Sequence, residues 1–275
     1  MSDNYITPNR GISASVLKNI AYITMIIDHT GHSIIGRYYD SLGYNPLDVP
    51  IYVLTRTIGR LAFPIFIFML VEGYYRTRNK LNYFTRLLIL AFISEIPYNL
   101  VASFRLIDSG NKNVMFDLSI CFLVLWGVDY CCNRFKEEIW LRNLLNVVIV
   151  LSGMALEAVL GTDYAVTSVG MTLVFYLFCY DSKKLWTAFC VWIVIGPFIS
   201  TYITHAQLLG CNLFSMGYID ILLSGMIKEY PAVLALIPIL SYNGKKGRHA
   251  PKYVYYAIYP VQFILIYILS SMLLG

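Results

Sequence analysis

Apolar residues run through this chain in stretches of about twenty, separated by short polar turns. About twenty apolar residues in helical conformation are what the hydrocarbon core of a bilayer requires. The runs at 16–36, 50–75, 82–103, 114–133, 139–160, 164–181, 185–204, 213–241 and 252–274 therefore predict membrane helices. The eighth run is long and interrupted at Lys228-Glu229, with Pro231 following. It reads either as one broken helix or as two short ones, and non-helical backbone at that depth has to be covered by protein or line a cavity. The pattern predicts an all-α, polytopic membrane helix bundle of nine or ten transmembrane helices, forming a single domain over 1–275. A polar stretch of about fifteen residues precedes the first run, which has no small-residue cleavage site. That run reads as a retained helix and not as a signal peptide.

The turns alternate in charge. Arg76–Lys80, the Arg134–Arg142 loop, Lys183-Lys184 and Gly244–Lys252 are rich in Lys and Arg, whereas the loops at 37–49, 104–113, 161–163 and 205–212 are poorer. Basic turns stay on the cytoplasmic side, so the expected orientation places the N-terminus in the cytoplasm of a bacterial cell membrane. Parity then favours nine crossings over ten.

Ionisable residues interrupt these runs. Val16–Ile35, VLKNIAYITMIIDHTGHSII, contains Asp28, His29 and His32, and Arg56, Arg60, Glu72, Arg86, Glu95, Asp117 and Glu157 lie in other apolar stretches. A charge near the bilayer centre costs at least about 2.5 kcal/mol, which makes each of these a functional hypothesis by default. At about 1.5 Å per residue, Asp28 and His29 fall just past the midplane on an outward-running helix. Arg60 falls near the midplane on the next one. Glu95, Asn99, Asp117 and Glu157 are expected toward the outside. Arg76, Arg78, Lys80 and Arg86, joined by Lys245, Lys246 and Arg248, are expected toward the inside.

Such polarity suits an anionic donor arriving from the cytoplasm and a cationic or hydroxyl acceptor outside. The inner Arg and Lys side chains would attract a phosphorylated nucleotide such as coenzyme A. His29 has the chemistry of a general base, with Asp28 or another carboxylate to orient its ring. Adjacent helical residues point about 100° apart, so Asp28 need not be that partner. The simpler readings are packing for the histidines, a helix-packing ion pair for Arg60 and topology determinants for Arg76–Lys80.

Composition narrows the class. The chain has 58% hydrophobic and 13% charged residues and a mean hydropathy of +0.62, against about a quarter charged in a soluble domain. Its lipid partners are thus built in. The formal charge of +5 is scattered over separate turns, without the aromatic-interleaved basic face that nucleic acid requires. The six cysteines show no paired spacing and read as packing residues with no disulfide framework. No spacing around Asp28, His29 and His32 requires a metal.

Several strings resemble the TraX family, membrane proteins of conjugal-transfer systems associated with pilin N-acetylation. They are LKNIAYITMIIDHTGH (Leu17–His32), IGRLAFPIFIFMLVEGYYRTRNK (Ile58–Lys80), RLLILAFISEIPYNL (Arg86–Leu100), NVMFDL (Asn113–Leu118), SYNGKKGR (Ser241–Arg248) and YAIYPVQFILIYIL (Tyr256–Leu269). The resemblance covers most of the chain and is weakest over 185–230. It implies an integral membrane acetyltransferase that takes acetyl-CoA as donor and modifies an N-terminal amine of pilin. It also implies Asp28, His29, Arg60, Glu72 and Glu95 as site residues. His29 would be the base, and Arg60 would stabilise the thioester oxyanion or an anionic donor. Arg56-x-x-x-Arg60 followed by Pro64 is similar to an arginine–proline motif of the wider transmembrane acyltransferases.

One position departs from the pattern. Where family members commonly carry histidine after the Tyr-Pro of the last helix, this chain has Gln262, which hydrogen-bonds but is no general base near neutral pH. The acceptor stays open between a peptide amine and an envelope glycan. Two other functions stay open as well. Midplane charges and a broken helix also suit a transporter or flippase, and a non-catalytic assembly protein would tolerate changes at His29, Arg60 and Glu95.

Overall fold

The protein is described by a computed structural model covering residues 11–108, 110–179, 181–209, 228–248 and 251–274, with side chains throughout except at 203–209 and 252. Helices account for nearly all of it: α1 Ala14–Thr30, α2 Arg37–Ser41, α3 Pro50–Gly59, α4 Ala62–Arg76, α5 Lys80–Ala102, α6 Val114–Arg134, α7 Ile139–Leu160, α8 Val166–Phe178, α9 Ser182–Leu209, α10 Leu236–Leu240 and α11 Lys252–Leu274. Two isolated bridges, Ile12–Tyr242 and Lys112–Thr162, are the β pairings among the described residues.

Six helical stretches among the described residues are long and apolar enough to cross a membrane: Pro50–Arg76 (α3 with α4), α5, α6, α7, Ser182–Tyr202 of α9 and Tyr253–Leu274 of α11. The expected count of nine or ten is not reached there, for identifiable reasons. The run at 16–36 is divided between α1, at 17 residues, and a π-helical segment Gly31–Gly36. The run at 164–181 yields only the 13 residues of α8. Of the eighth run, 213–227 lie outside the described residues. Its remainder is broken as expected, with a 3₁₀ segment Tyr230–Ala235 around Pro231 leading into α10.

The chain divides into two compact units. The first comprises Met1–Met69, Phe92–Asp108 and Pro231–Gly275, and the second Leu70–Ala91 and Ser109–Tyr230. In the first, α1 and the π segment pack on α3 and α11. The entry to α1 is tied down by SYNGKKGR. Ser13 caps the helix, and the amides of Ala14 and Ser15 donate to the carbonyls of Lys245 (2.9 Å) and Lys246 (3.1 Å). The Ser15 hydroxyl donates to the Arg248 carbonyl. Gly247 takes φ +70°, with its backbone against Ser13, a conformation that only glycine adopts without strain. The motif thus works through its backbone, while the side chains of Lys245, Lys246 and Arg248 stand exposed.

In the second unit α6 is the central helix, buried along most of its length, packed on α7 and α8, and α8 packs on α9. By contrast, α7 has only 11% of its apolar window buried within the chain, and Trp140 at its start is 86% exposed. An apolar helix left open in this way is covered by lipid, and tryptophan at its end suits the interfacial belt.

Close approach in the first unit rests on glycine. A Cβ at Gly59 would fall on the Asp28 side chain, one at Gly31 on Thr55, and one at Gly36 on Tyr52. All three lie where the α1–π segment meets α3, and the π segment turns this face back toward α3 after Thr30. Gly59→Ala is expected to cost about 1–3 kcal/mol through overpacking. The loss is read as a lower melting temperature in detergent. Gly127→Ala, where the added methyl meets only the Ile149 side chain at 3.2 Å, should cost clearly less.

Candidate functional site

The polar residues of α1 meet arginines of α3 within the first unit. Arg56 Nη1 donates to Asp28 Oδ2 at 2.7 Å, and both side chains are largely covered, at 26% and 17% exposure. Arg60, one turn further on, is within electrostatic reach of Asp28 and His32, as Arg37 is of His32. Arg56 and Arg60 share a helical face because they are four apart. The second Asp28 oxygen, Oδ1, is buried with no hydrogen-bond partner.

His29 points elsewhere. Its ring lies 4.7 Å from the Phe263 ring of α11, and Phe263 in turn meets Tyr98 at 5.6 Å and Tyr259 at 5.1 Å, both edge-on. Gln262 approaches the same imidazole. Yet His29 Nδ1 and both amide atoms of Gln262 are buried without a hydrogen bond of normal geometry. An unmet buried polar group costs about 1–3 kcal/mol, and three such atoms lie together in this seam. His29 keeps part of its surface exposed, and His32 is exposed. Arg37 closes the far end, with Nη2 donating to the Val101 carbonyl at 2.5 Å at the C-terminal end of α5. Ser270 of α11 donates to the Ser33 carbonyl at 3.3 Å.

The seam therefore gathers Asp28, His29 and Arg60 of the expected catalytic set. The fourth, Glu95, is half-buried on α5 in the same unit, three residues before Tyr98. Asn99, 1% exposed, donates to the Leu106 carbonyl at 3.5 Å and so braces the end of α5.

The remaining expected residues fall in the second unit, apart from Lys245, Lys246 and Arg248. Glu72 is buried and accepts from Arg76 Nε at 2.6 Å, one turn along α4. Lys80 lies 3.0 Å over the Tyr74 ring and 3.8 Å from Asp129. Asp129 also accepts from the hydroxyls of Tyr74 (2.6 Å) and Tyr176 (3.2 Å). Arg78 and Arg86 are exposed.

Asp117 and Glu157, expected at an outer mouth, are instead brought together in the interior, each 0% exposed. Glu157 Oε1 accepts from the Ser168 hydroxyl and, at 3.7 Å, from Cys121 Sγ. Asp117 accepts from the Tyr164 amide at 3.3 Å. Ala165, at φ +43° just before α8, turns the chain so that Ser168 reaches this cluster. Burial follows from position, since the first turn of α6 and the last of α7 both pack on α8. Among the described residues no group of three or more His, Cys, Asp or Glu is placed to hold a metal.

Three participants escaped the sequence-based site. Arg56, not Arg60, makes the direct contact to Asp28. Gln262 stood out in the sequence as the departure from the family's histidine, without a role, and Asp129 was legible as an acid among the apolar and aromatic residues of Gly127–Cys132.

A family model described as "TraX protein" matches residues 13–270. Among curated proteins, the chain is similar to the "Probable fimbrial assembly protein FimC, serogroup H1" of Dichelobacter nodosus. The two are 28% identical over 268 residues, spanning 94% of this chain and 96% of that protein. No solved structure gives a significant match.

Because Asp28 and Arg56 satisfy each other, removing one should cost more than removing both. Arg56→Leu is expected to destabilise by about 3 kcal/mol, and Asp28→Asn combined with Arg56→Leu should recover at least half of that. A thermal double-mutant cycle in detergent measures the coupling. Simple additivity would mean that the pair carries no interaction energy.

Proposed function

From membership of the TraX family, to which this chain belongs, we propose that the protein is a multi-pass acyltransferase of the bacterial cytoplasmic membrane, its N-terminus in the cytoplasm. It moves an acetyl group from cytoplasmic acetyl-CoA to the N-terminal amine of a pilin-like peptide or to a hydroxyl of an envelope glycan. One observation carries this reading: two arginines gathered on a carboxylate within apolar helices, with an imidazole next to it in the chain facing Phe263 and Gln262. Such groups are costly in lipid and are kept where chemistry needs them.

The step follows from these groups. The acceptor nitrogen or oxygen attacks the thioester carbonyl carbon, and His29 takes the proton it loses. Negative charge building on the carbonyl oxygen is met by Arg60. Collapse breaks the carbon–sulfur bond, and the CoA sulfur leaves with the proton returned by His29. The new amide or ester then departs. Exposed basic side chains at Arg78, Arg86, Lys245, Lys246 and Arg248 are suited to the phosphates of the donor. Arg76 and Lys80 serve less directly, since Glu72 and Asp129 engage them.

A non-catalytic role in fimbrial assembly is the second reading. It is favoured by the name of the Dichelobacter relative and by Asp28 pairing with Arg56 instead of orienting His29.

Purified protein in liposomes, given acetyl-CoA and a pilin-like peptide, separates the two. On the acyltransferase reading, His29→Ala lowers acetyl transfer by at least about 100-fold while the protein still inserts and binds CoA. Transfer that persists in that variant removes His29 from the role of base, and absence of transfer and of CoA binding in the wild type leaves the assembly reading. Arg78→Ala with Arg86→Ala should raise the KM for acetyl-CoA with little change in kcat.

A further inference from the structure

Gln262 presents a carboxamide beside the His29 imidazole, to which it makes no hydrogen bond of normal geometry. The residue is 5% exposed, and both Oε1 and Nε2 are buried without a partner. Either way round, the side chain offers one acceptor and two donor hydrogens at a fixed separation. It sits on α11 beside His29, whose Nδ1 is likewise buried and unpartnered. Next to it the rings of Phe263, Tyr98 and Tyr259 form an aromatic wall in contact with the imidazole. Leucine or methionine would fill the same volume in this apolar helix without unmet hydrogen bonds, so packing alone does not explain glutamine here.

We propose that Gln262 is a substrate-binding residue that holds a chain of secondary amides alongside His29. Oε1 accepts an amide N–H and Nε2 donates to an amide C=O. The N–H and C=O of one extended residue point the same way and match a carboxamide in two-point contact. The aromatic wall covers the apolar links between them. An ester, a sugar or an acyl chain supplies C=O groups or hydroxyls but no N–H and C=O at this spacing. The ligand class is therefore an amide-bearing chain. This rests on the acyltransferase reading, under which two substrates carry that chemistry: the pantetheine arm of the donor, whose β-alanine unit brings both groups to one side when gauche about its central bond, and the peptide backbone of the acceptor, which does so when extended. In either case His29 Nδ1 is left to the reacting atom.

Full-length protein in nanodiscs, wild type and Gln262→Met, is titrated separately with pantetheine and with an N-blocked apolar pentapeptide, and its melting temperature is recorded. Wild type is expected to bind at least one probe, and the variant at least tenfold more weakly. Its melting temperature should be equal or higher, because an unsatisfied buried amide has been removed. Weakening confined to pantetheine assigns the site to the donor, and weakening confined to the peptide assigns it to the acceptor. Equal binding by both proteins overturns the proposal, as does binding of neither probe by the wild type. A lower melting temperature with unchanged binding also overturns it, since Gln262 is then structural. Acetyl transfer is followed in parallel. Transfer with unchanged KM for both substrates in the variant overturns the amide site and leaves the acyltransferase standing. Amide binding that depends on Gln262, with no transfer by the wild type, supports the site and removes the enzyme.

Discussion

An ion pair placed inside apolar helices governs the architecture around it. Transfer of a lone carboxylate or guanidinium out of water costs several kcal/mol even after relaxation. Asp28 and Arg56 offset that cost only by meeting at 2.7 Å. For them to do so, α1 and α3 must come closer than ordinary side chains permit. Gly59 opposite Asp28, Gly31 opposite Thr55 and Gly36 opposite Tyr52 provide that clearance. The π segment between Gly31 and Gly36 keeps the polar face turned toward α3 beyond the point where a regular helix would carry it away. Charge, glycine and helix type are thus parts of one requirement.

The second unit solves the same problem by different means. Asp129 accepts from two tyrosine hydroxyls and lies near Lys80, so its charge is spread over several donors. Glu157 and Asp117 have no basic partner among their described hydrogen bonds. They rely on Ser168, Cys121 and the Tyr164 amide. Hydroxyl and thiol donors pack well inside a helix bundle and satisfy a carboxyl oxygen without a second desolvated ion. Glu72 and Arg76 use the simplest device, a pair one helical turn apart.

Much of this was legible in the chain, and what was not has physical causes. Apolar runs located α3 to α7, α9 and α11, because hydropathy over twenty residues is a direct measure of fitness for lipid. Asp28, His29 and Arg60 stood out as ions in apolar runs and through the family resemblance; Asp28 pairs with Arg56, with Arg60 in electrostatic reach, while His29 turns to Phe263. Depth along straight helices put Arg60 near the level of Asp28. One helical turn, about 5.4 Å, separates Arg60 from Arg56, and depth does not resolve that difference. The π segment was hidden because GHSIIG differs little from helix, its glycines being the one hint. Asp117 and Glu157 were expected toward the outside because each lies near the end of an apolar run, and their burial against each other was not legible there. Burial at a helix end depends on which neighbour covers it, which is a tertiary fact. The basic residues of SYNGKKGR suggested a site by their charge, whereas the structure employs their carbonyls.

The direction of Asp28 changes what kind of chemistry the seam supports. In a triad a carboxylate orients and stabilises the imidazolium of the base. Here the carboxylate is committed to Arg56, and the imidazole is flanked by Phe263 and Gln262, neither of which carries a negative charge. With its neighbouring carboxylate engaged by Arg56, His29 is suited, on the acyltransferase reading, to proton transfer that is brief and closely matched by return to the leaving group. Thioester aminolysis fits, because the departing thiolate takes back a proton as readily as the attacking amine gives one up. On the acyltransferase reading, charge on the carbonyl oxygen is the larger demand, and an arginine is suited to it. The seam is thus better built to stabilise an anion at the carbonyl than a cation at the histidine.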